Sequence, residues 1–126
     1  MAGRHTNLAL LLVVPLAVGT GAAAYAVGAG PIRPVVVAHG VVGLAIIVLA
    51  RPKSRIVVRG LRRSRTGRAG SVALGVALVL TLASGVTHAT GLARSWGPVT
   101  ALQVHVTAAL LAIPFFVQHV VARARS

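Results

Sequence analysis

The sequence contains no aspartate, no glutamate and no cysteine, and only four aromatic residues: two Phe, one Tyr and one Trp. Each absence removes a class of chemistry. Without carboxylates there is no acid/base pair for glycoside cleavage, no Ser-His-Asp triad and no acidic cage for Mg²⁺ or Ca²⁺. Without thiols there are no disulfides, no thiolate zinc sites, no iron–sulfur ligation and no covalent haem attachment. The metal-capable side chains that remain are five histidines and the single methionine at the start. Any reaction here is histidine chemistry or chemistry brought by a cofactor.

What the chain does contain is apolar and basic. Of its 126 residues, 56% are hydrophobic, and the formal net charge is +13. The mean hydropathy of +0.89 is that of a membrane protein. Four apolar runs cover residues 7–28, 34–51, 71–92 and 98–122. Each approaches the ~20 residues that cross a hydrocarbon core of about 30 Å. Between the second and third lies a basic segment, 51–70, with Arg51, Lys53, Arg55, Arg59, Arg62, Arg63, Arg65 and Arg68. The second helix is expected to run on into these arginines.

Excess Lys and Arg mark cytoplasmic connections. Arg4, segment 51–70, Arg123 and Arg125 therefore lie inside, and Arg33 and Arg94 outside. The expected fold is an all-α integral membrane protein, a four-helix up-down bundle with both termini cytoplasmic. Turns at 29–33 and 93–97 face out, with Tyr25 and Trp96 near the outer surface. Ala24-Tyr25-Ala26 also fits a signal-peptide cleavage site, but the first apolar run is long for such a peptide, so a retained first helix is expected. The pattern Gly19-x-Gly21-x-x-Ala24 matches a dinucleotide-binding fingerprint by accident: no acidic residue follows it and the run is long enough to span a bilayer. No internal sequence repeat is evident.

Ionisable side chains inside spanning helices are costly and read first as functional. His39, His88 and His105 fall near the outer ends of the second, third and fourth helices. His119 lies near the inner end of the fourth, and His5 precedes the first. Fourteen residues at about 100° each return to within roughly 40° of one face, so His105 and His119 share a stripe about 21 Å long. Ala109, Ala112 and Phe116 lie between them, and Pro114 is a point for a bend. Gly40 and Gly43 are expected to clear space beside His39. His88, Ser84 and Thr81 form a polar stripe on the third helix.

Neutral imidazoles on apolar helices suit haem iron, with the second ring nitrogen held by a hydroxyl or carbonyl. The expected cofactor is one haem b with His39 and His105 as axial ligands. Three roles are open to His88: replacing either ligand, binding a propionate, or serving a quinol site. A second, inner haem at His119 lacks a histidine partner, because the second helix offers Lys53 at that depth. The bland alternative is that these histidines only hydrogen-bond neighbouring helices. Nucleic-acid binding is not expected, since topology accounts for the basic charge and no recognition module is present.

The stretches VAHGVVGLAIIVLARPKSRIVVRGLRR, VTHATG and GPVTALQVHVTAALLAIPFFVQHVVAR resemble the membrane section of bacterial molybdopterin-dependent, sulfite-oxidase-like oxidoreductases. The resemblance covers nearly the whole chain and is most specific in the last helix. It implies a four-helix b-type cytochrome in the cytoplasmic membrane, with His39, His88, His105 and His119 serving haem. It further implies electron transfer between a molybdenum-containing partner and quinone or another carrier. No residue here would bind molybdopterin, so no catalytic residue carries over, and the expected role is a non-catalytic electron-transfer subunit. Two alternatives have other consequences. One is a cofactor-free membrane anchor or assembly protein for a partner enzyme. The other is a small transporter, disfavoured because no membrane carboxylate is present.

Overall fold

The structure, a computed structural model, describes residues 2–27, 33–63 and 68–125. Helices α1 (Ala2–Val27), α2 (Arg33–Arg63), α3 (Arg68–Thr90) and α4 (Ala101–Ala124) account for nearly all of them. A short hairpin, β1 (Ser95–Trp96) and β2 (Val99–Thr100), precedes α4. Each helix contains a stretch long and apolar enough to cross a membrane: Arg4–Ala26, Pro34–Arg51, Ala69–Thr90 and Ala101–Ala124. The chain is a multi-pass, all-helical membrane protein.

The helix limits differ from the apolar runs for local reasons. α1 starts at Ala2, so His5 stands inside its first turns. α2 continues through Arg51 to Arg63, so the helix does enter the basic segment. Arginine and lysine are good helix formers, and polarity does not end a helix. The turn expected at 29–33 falls, up to residue 32, outside the described residues, as does 64–67. α3 stops at Thr90 because Gly91 takes the left-handed conformation (φ 69°), and its amide bonds the His88 carbonyl at 3.3 Å. The run predicted to begin at residue 98 opens on a two-strand turn, and its helix starts only at Ala101. Gly97 has φ 62°, and Trp96 pairs with Val99. α4 then starts on a capping box. Gln103 N donates to Thr100 Oγ1 at 3.1 Å, and Thr100 N donates to Gln103 Oε1 at 2.8 Å.

The chain divides into two compact units, residues 1–63 and 64–126. In the first, α1 packs on α2; in the second, α3 packs on α4. Each pair is an antiparallel hairpin. Ala17 meets His39 and Asn7 meets Lys53; Thr81 meets His105 and Ser71 meets His119. The faces turned toward one another carry small residues. In α4, Ala101, Ala108 and Ala112 are buried, a stripe at helical spacing that also contains His105. Leu74, Ala77 and Ala112 form a small core with Leu78, Phe115 and Phe116 against it. The outward faces are apolar as well: Leu12 is 73% exposed and Val48 68%. In water such faces would drive aggregation; in a bilayer, lipid tails cover them.

Candidate functional site

The hydroxyl-bearing residues of α1 and α3 satisfy themselves first. Thr20 donates to the Leu16 carbonyl at 2.8 Å, and Ser84, 2% exposed, donates to the Leu80 carbonyl. Each also reaches the carbonyl of the next residue along, Ala17 for Thr20 and Thr81 for Ser84. Bonding back to the preceding turn keeps a hydroxyl paired in an apolar helix.

One carbonyl of each pair also receives a histidine. His39 Nδ1 lies 3.1 Å from the Ala17 carbonyl and 3.2 Å from Thr20 Oγ1. His105 Nδ1 lies 2.7 Å from the Thr81 carbonyl. A carbonyl only accepts, so Nδ1 carries the proton in both rings. In the neutral imidazole the lone pair then resides on Nε2. Both rings are half-buried.

The room for each ring comes from a glycine across the hairpin. A Cβ at Gly21 would stand 2.9 Å from His39 Cε1. A Cβ at Gly85 would stand 2.8 Å from both Cε1 and Nδ1 of His105. Gly40 and Gly43, expected to clear space beside His39, have nothing within 4 Å of the Cβ position. They flank the histidine on its own helix, and a helical side chain is crowded by the helix it packs against. Gly21, Gly85 and the Ala17 and Thr81 carbonyls are the parts of these seats that sequence reasoning missed. A signal was present: in both helices a small hydroxyl residue directly precedes the glycine.

The other histidines stand differently. His119 is half-buried, with Nδ1 3.4 Å from Ser71 Oγ, and a hydroxyl can serve either ring tautomer. At the equivalent level of the first hairpin, Lys53 Nζ donates to Asn7 Oδ1 at 2.6 Å. His88 is exposed and lines an open cleft of about 490 Å³ with Arg94, Thr90, Gly91, Thr100 and Leu102. His5 is exposed. Among the described residues no three histidines gather into one metal-binding group. The polar stripe on α3 is thus split by use. The backbone at Thr81 holds His105, Ser84 is buried, and His88 faces out.

The ligand type these residues offer is imidazole, which is among the side chains that bind haem iron. Thiolate and carboxylate ligands are missing from the chain. Two imidazoles each have one nitrogen fixed by a carbonyl, and a glycine clears the space beside each ring. No protein-family model, curated protein or solved structure matches this chain.

Proposed function

We propose that this protein is a membrane cytochrome b-like electron-transfer subunit that binds haem b with His39 and His105 as axial ligands. The observation that carries the reading is the common seat of the two imidazoles. Each is set in an apolar helix with Nδ1–H donated to a backbone carbonyl, so Nε2 would be the ring nitrogen to bind iron. Second-nitrogen hydrogen bonds of this kind orient ligating imidazoles and raise their basicity.

Haem, when bound, supplies one-electron ferric/ferrous chemistry. The chain's residues hold and tune it. The Ala17 and Thr81 carbonyls fix the rings, Gly21 and Gly85 give them room, and the apolar helices exclude water. His88 and Arg94, sharing one cleft, suit a carboxylate such as a propionate or the polar head of a quinol. His119 is the candidate for an inner haem. The four helices form an up-down bundle in a bacterial cytoplasmic membrane, with the arginine-rich 51–70 segment and both termini inside. Electrons pass between a redox partner, of the molybdopterin-oxidoreductase kind that the sequence resembles, and quinone or another carrier. The subunit itself is non-catalytic.

The test is the reduced-minus-oxidised spectrum of the purified protein. A b-type α-band is expected; it is lost in His105→Ala and kept in His5→Ala. Protein that carries no extractable haem and takes up none on reconstitution sinks the reading. A second reading, a cofactor-free membrane anchor, is favoured by one observation: the His39, His105 and His119 rings all bond within their own hairpin, as interhelical hydrogen bonds would. Co-purification of a partner enzyme without pigment would select it.

A further inference from the structure

The two membrane-crossing stretches of the first hairpin meet the same border with basic residues. One runs Arg4–Ala26 and the other Pro34–Arg51. The hairpin is antiparallel, so Arg4 and Arg51 stand at one end of it. Lys53 ties that end together: its Nζ donates to Asn7 Oδ1 at 2.6 Å, about one turn along α1 from Arg4. Arg4 and Arg51 are exposed and Lys53 is half-buried. α2 does not stop with its apolar stretch but continues to Arg63, so Arg51 and Lys53 are held on a helix rather than on a loop.

These charges meet no acidic side chain, because the chain has no aspartate and no glutamate. Asn7 is a neutral acceptor; it takes a hydrogen bond from Lys53 and leaves the charge uncancelled. Like charges at one end of an apolar hairpin repel one another, and the balancing anion comes from outside the chain.

Depth points to the kind of anion. A hydrocarbon core of about 30 Å lies within a bilayer of about 40–45 Å, which leaves a headgroup layer of roughly 5–8 Å on each side. Along the helix axis Lys53 stands about 3 Å past the end of its apolar stretch, inside that layer. Arg59, Arg62 and Arg63 stand about 12–18 Å past it, beyond the headgroups, where salt screens charge over about 8 Å. An acidic protein would meet those distant arginines first; a lipid phosphate meets Arg4, Arg51 and Lys53. The apolar surface continues each cation as a lipid tail requires. Leu8 and Leu12 follow Arg4 on its stripe of α1, and Val48 and Leu44 precede Arg51 on its stripe of α2; all four are exposed.

We propose that Arg4, Arg51 and Lys53 form a seat for the phosphate of an anionic phospholipid, whose acyl chains lie along the exposed leucines and valine below them. The seat belongs to the first hairpin alone and does not depend on the haem reading.

The test is a lipid titration of the full-length protein in mixed micelles, with bound lipid counted by native mass spectrometry. Phosphatidylglycerol is expected to bind more tightly than phosphatidylcholine. A cation near an anionic surface is worth roughly fivefold in affinity. Arg4→Gln, Arg51→Gln and Lys53→Gln should each weaken phosphatidylglycerol by about that factor and leave phosphatidylcholine unchanged. Lys53→Arg, which keeps the charge, should keep the affinity. Two controls remove as much charge or more elsewhere: the triple Arg59→Gln, Arg62→Gln, Arg63→Gln, and Arg123→Gln with Arg125→Gln. Both should leave phosphatidylglycerol binding nearly unchanged. Arg4 and Arg51 are exposed, so their variants keep the fold, checked by circular dichroism, and carry the test should Lys53→Gln disturb the Asn7 bond.

Equal affinity for the two lipids overturns the proposal and leaves these cations to an acidic protein partner. A control variant that weakens phosphatidylglycerol as much as Arg4→Gln does overturns it too, because overall charge and not a seat is then what the lipid meets. Inorganic phosphate that displaces phosphatidylglycerol at equal concentration makes the ligand a free phosphate and overturns the lipid assignment.

Discussion

The first and second hairpins are alike where His39 and His105 sit and unlike fourteen residues further along, at Lys53 and His119. At the first of these levels both hold an imidazole by a carbonyl and a glycine. At the second a lysine on an asparagine faces a different task from a histidine on a serine. A level that keeps its chemistry in both hairpins is one whose geometry is demanding. A tautomer-fixing carbonyl and a missing Cβ leave little latitude, whereas any hydrogen-bonding pair satisfies the polar groups near a helix end. The comparison therefore directs attention to His39 and His105 ahead of His119.

The largest expected effect lies at those two histidines. If the haem reading holds, His39→Ala and His105→Ala should each abolish the b-type α-band, since each removes one of the two proposed imidazole ligands. His88→Ala should retain the band. Survival of the band in His39→Ala with its loss in His105→Ala would break the equivalence of the hairpins at the level where it matters most.

Next come the glycine seats, where the hairpins differ in degree. The Cβ position at Gly85 clashes with two atoms of its ring at 2.8 Å; that at Gly21 clashes at 2.9 Å and stands 3.3 Å from Nδ1. Overpacking costs about 1–3 kcal/mol, and replacing a helical glycine by alanine returns about 1 kcal/mol of propensity. Gly85→Ala should therefore destabilise the haem-free protein by up to about 2 kcal/mol on that balance, and Gly21→Ala by less. Denaturant unfolding in mixed micelles measures both. A Gly21→Ala variant less stable than Gly85→Ala would reverse the order drawn from the contacts.

Much of this was legible in the sequence and some was not. The four helices follow from four apolar runs, and the stripe carrying His105 and His119 from helical periodicity. That stripe is buried as Ala101, Ala108 and Ala112, although Ala109 had been expected on it. The β1–β2 turn before α4 was missed because two residues per strand leave no alternating pattern to read. The seats were missed because they belong to the opposite helix. Gly40 and Gly43 drew notice by standing next to His39 in the chain, while Gly21 stands next to it in space. The likeness of the two hairpins is hard to read in the sequence because few positions are identical and the matching ones include exchanges such as Thr for Ser, Asn for Ser and Lys for His.

A smaller effect is expected at Thr100, whose capping box belongs to the second hairpin. Thr100→Ala should cost about 1 kcal/mol and speed hydrogen exchange in the first turn of α4, up to Gln103. His105 sits one turn further on, so its ring signals should barely move. Large movement of the His105 ring would mean that the seat depends on the helix start rather than on Gly85 and the Thr81 carbonyl.

The smallest effect tests the pairs at Lys53 and His119. Interhelical hydrogen bonds in membrane proteins average about 0.6 kcal/mol, and bonds to a charged donor are roughly twice as strong as neutral ones. Lys53 donates to Asn7 at 2.6 Å with a charged ammonium, while Ser71 and His119 stand 3.4 Å apart. Asn7→Ala should therefore cost about 1 kcal/mol and Ser71→Ala about half of that. The difference also carries a charge signature. Removing Asn7 leaves a cation with one acceptor fewer, so the Asn7→Ala penalty should shrink when Lys53→Gln is added. Ser71→Ala should be indifferent to Lys53→Gln. If both variants respond alike to the neutral background, the charge of Lys53 is not what separates the two pairs.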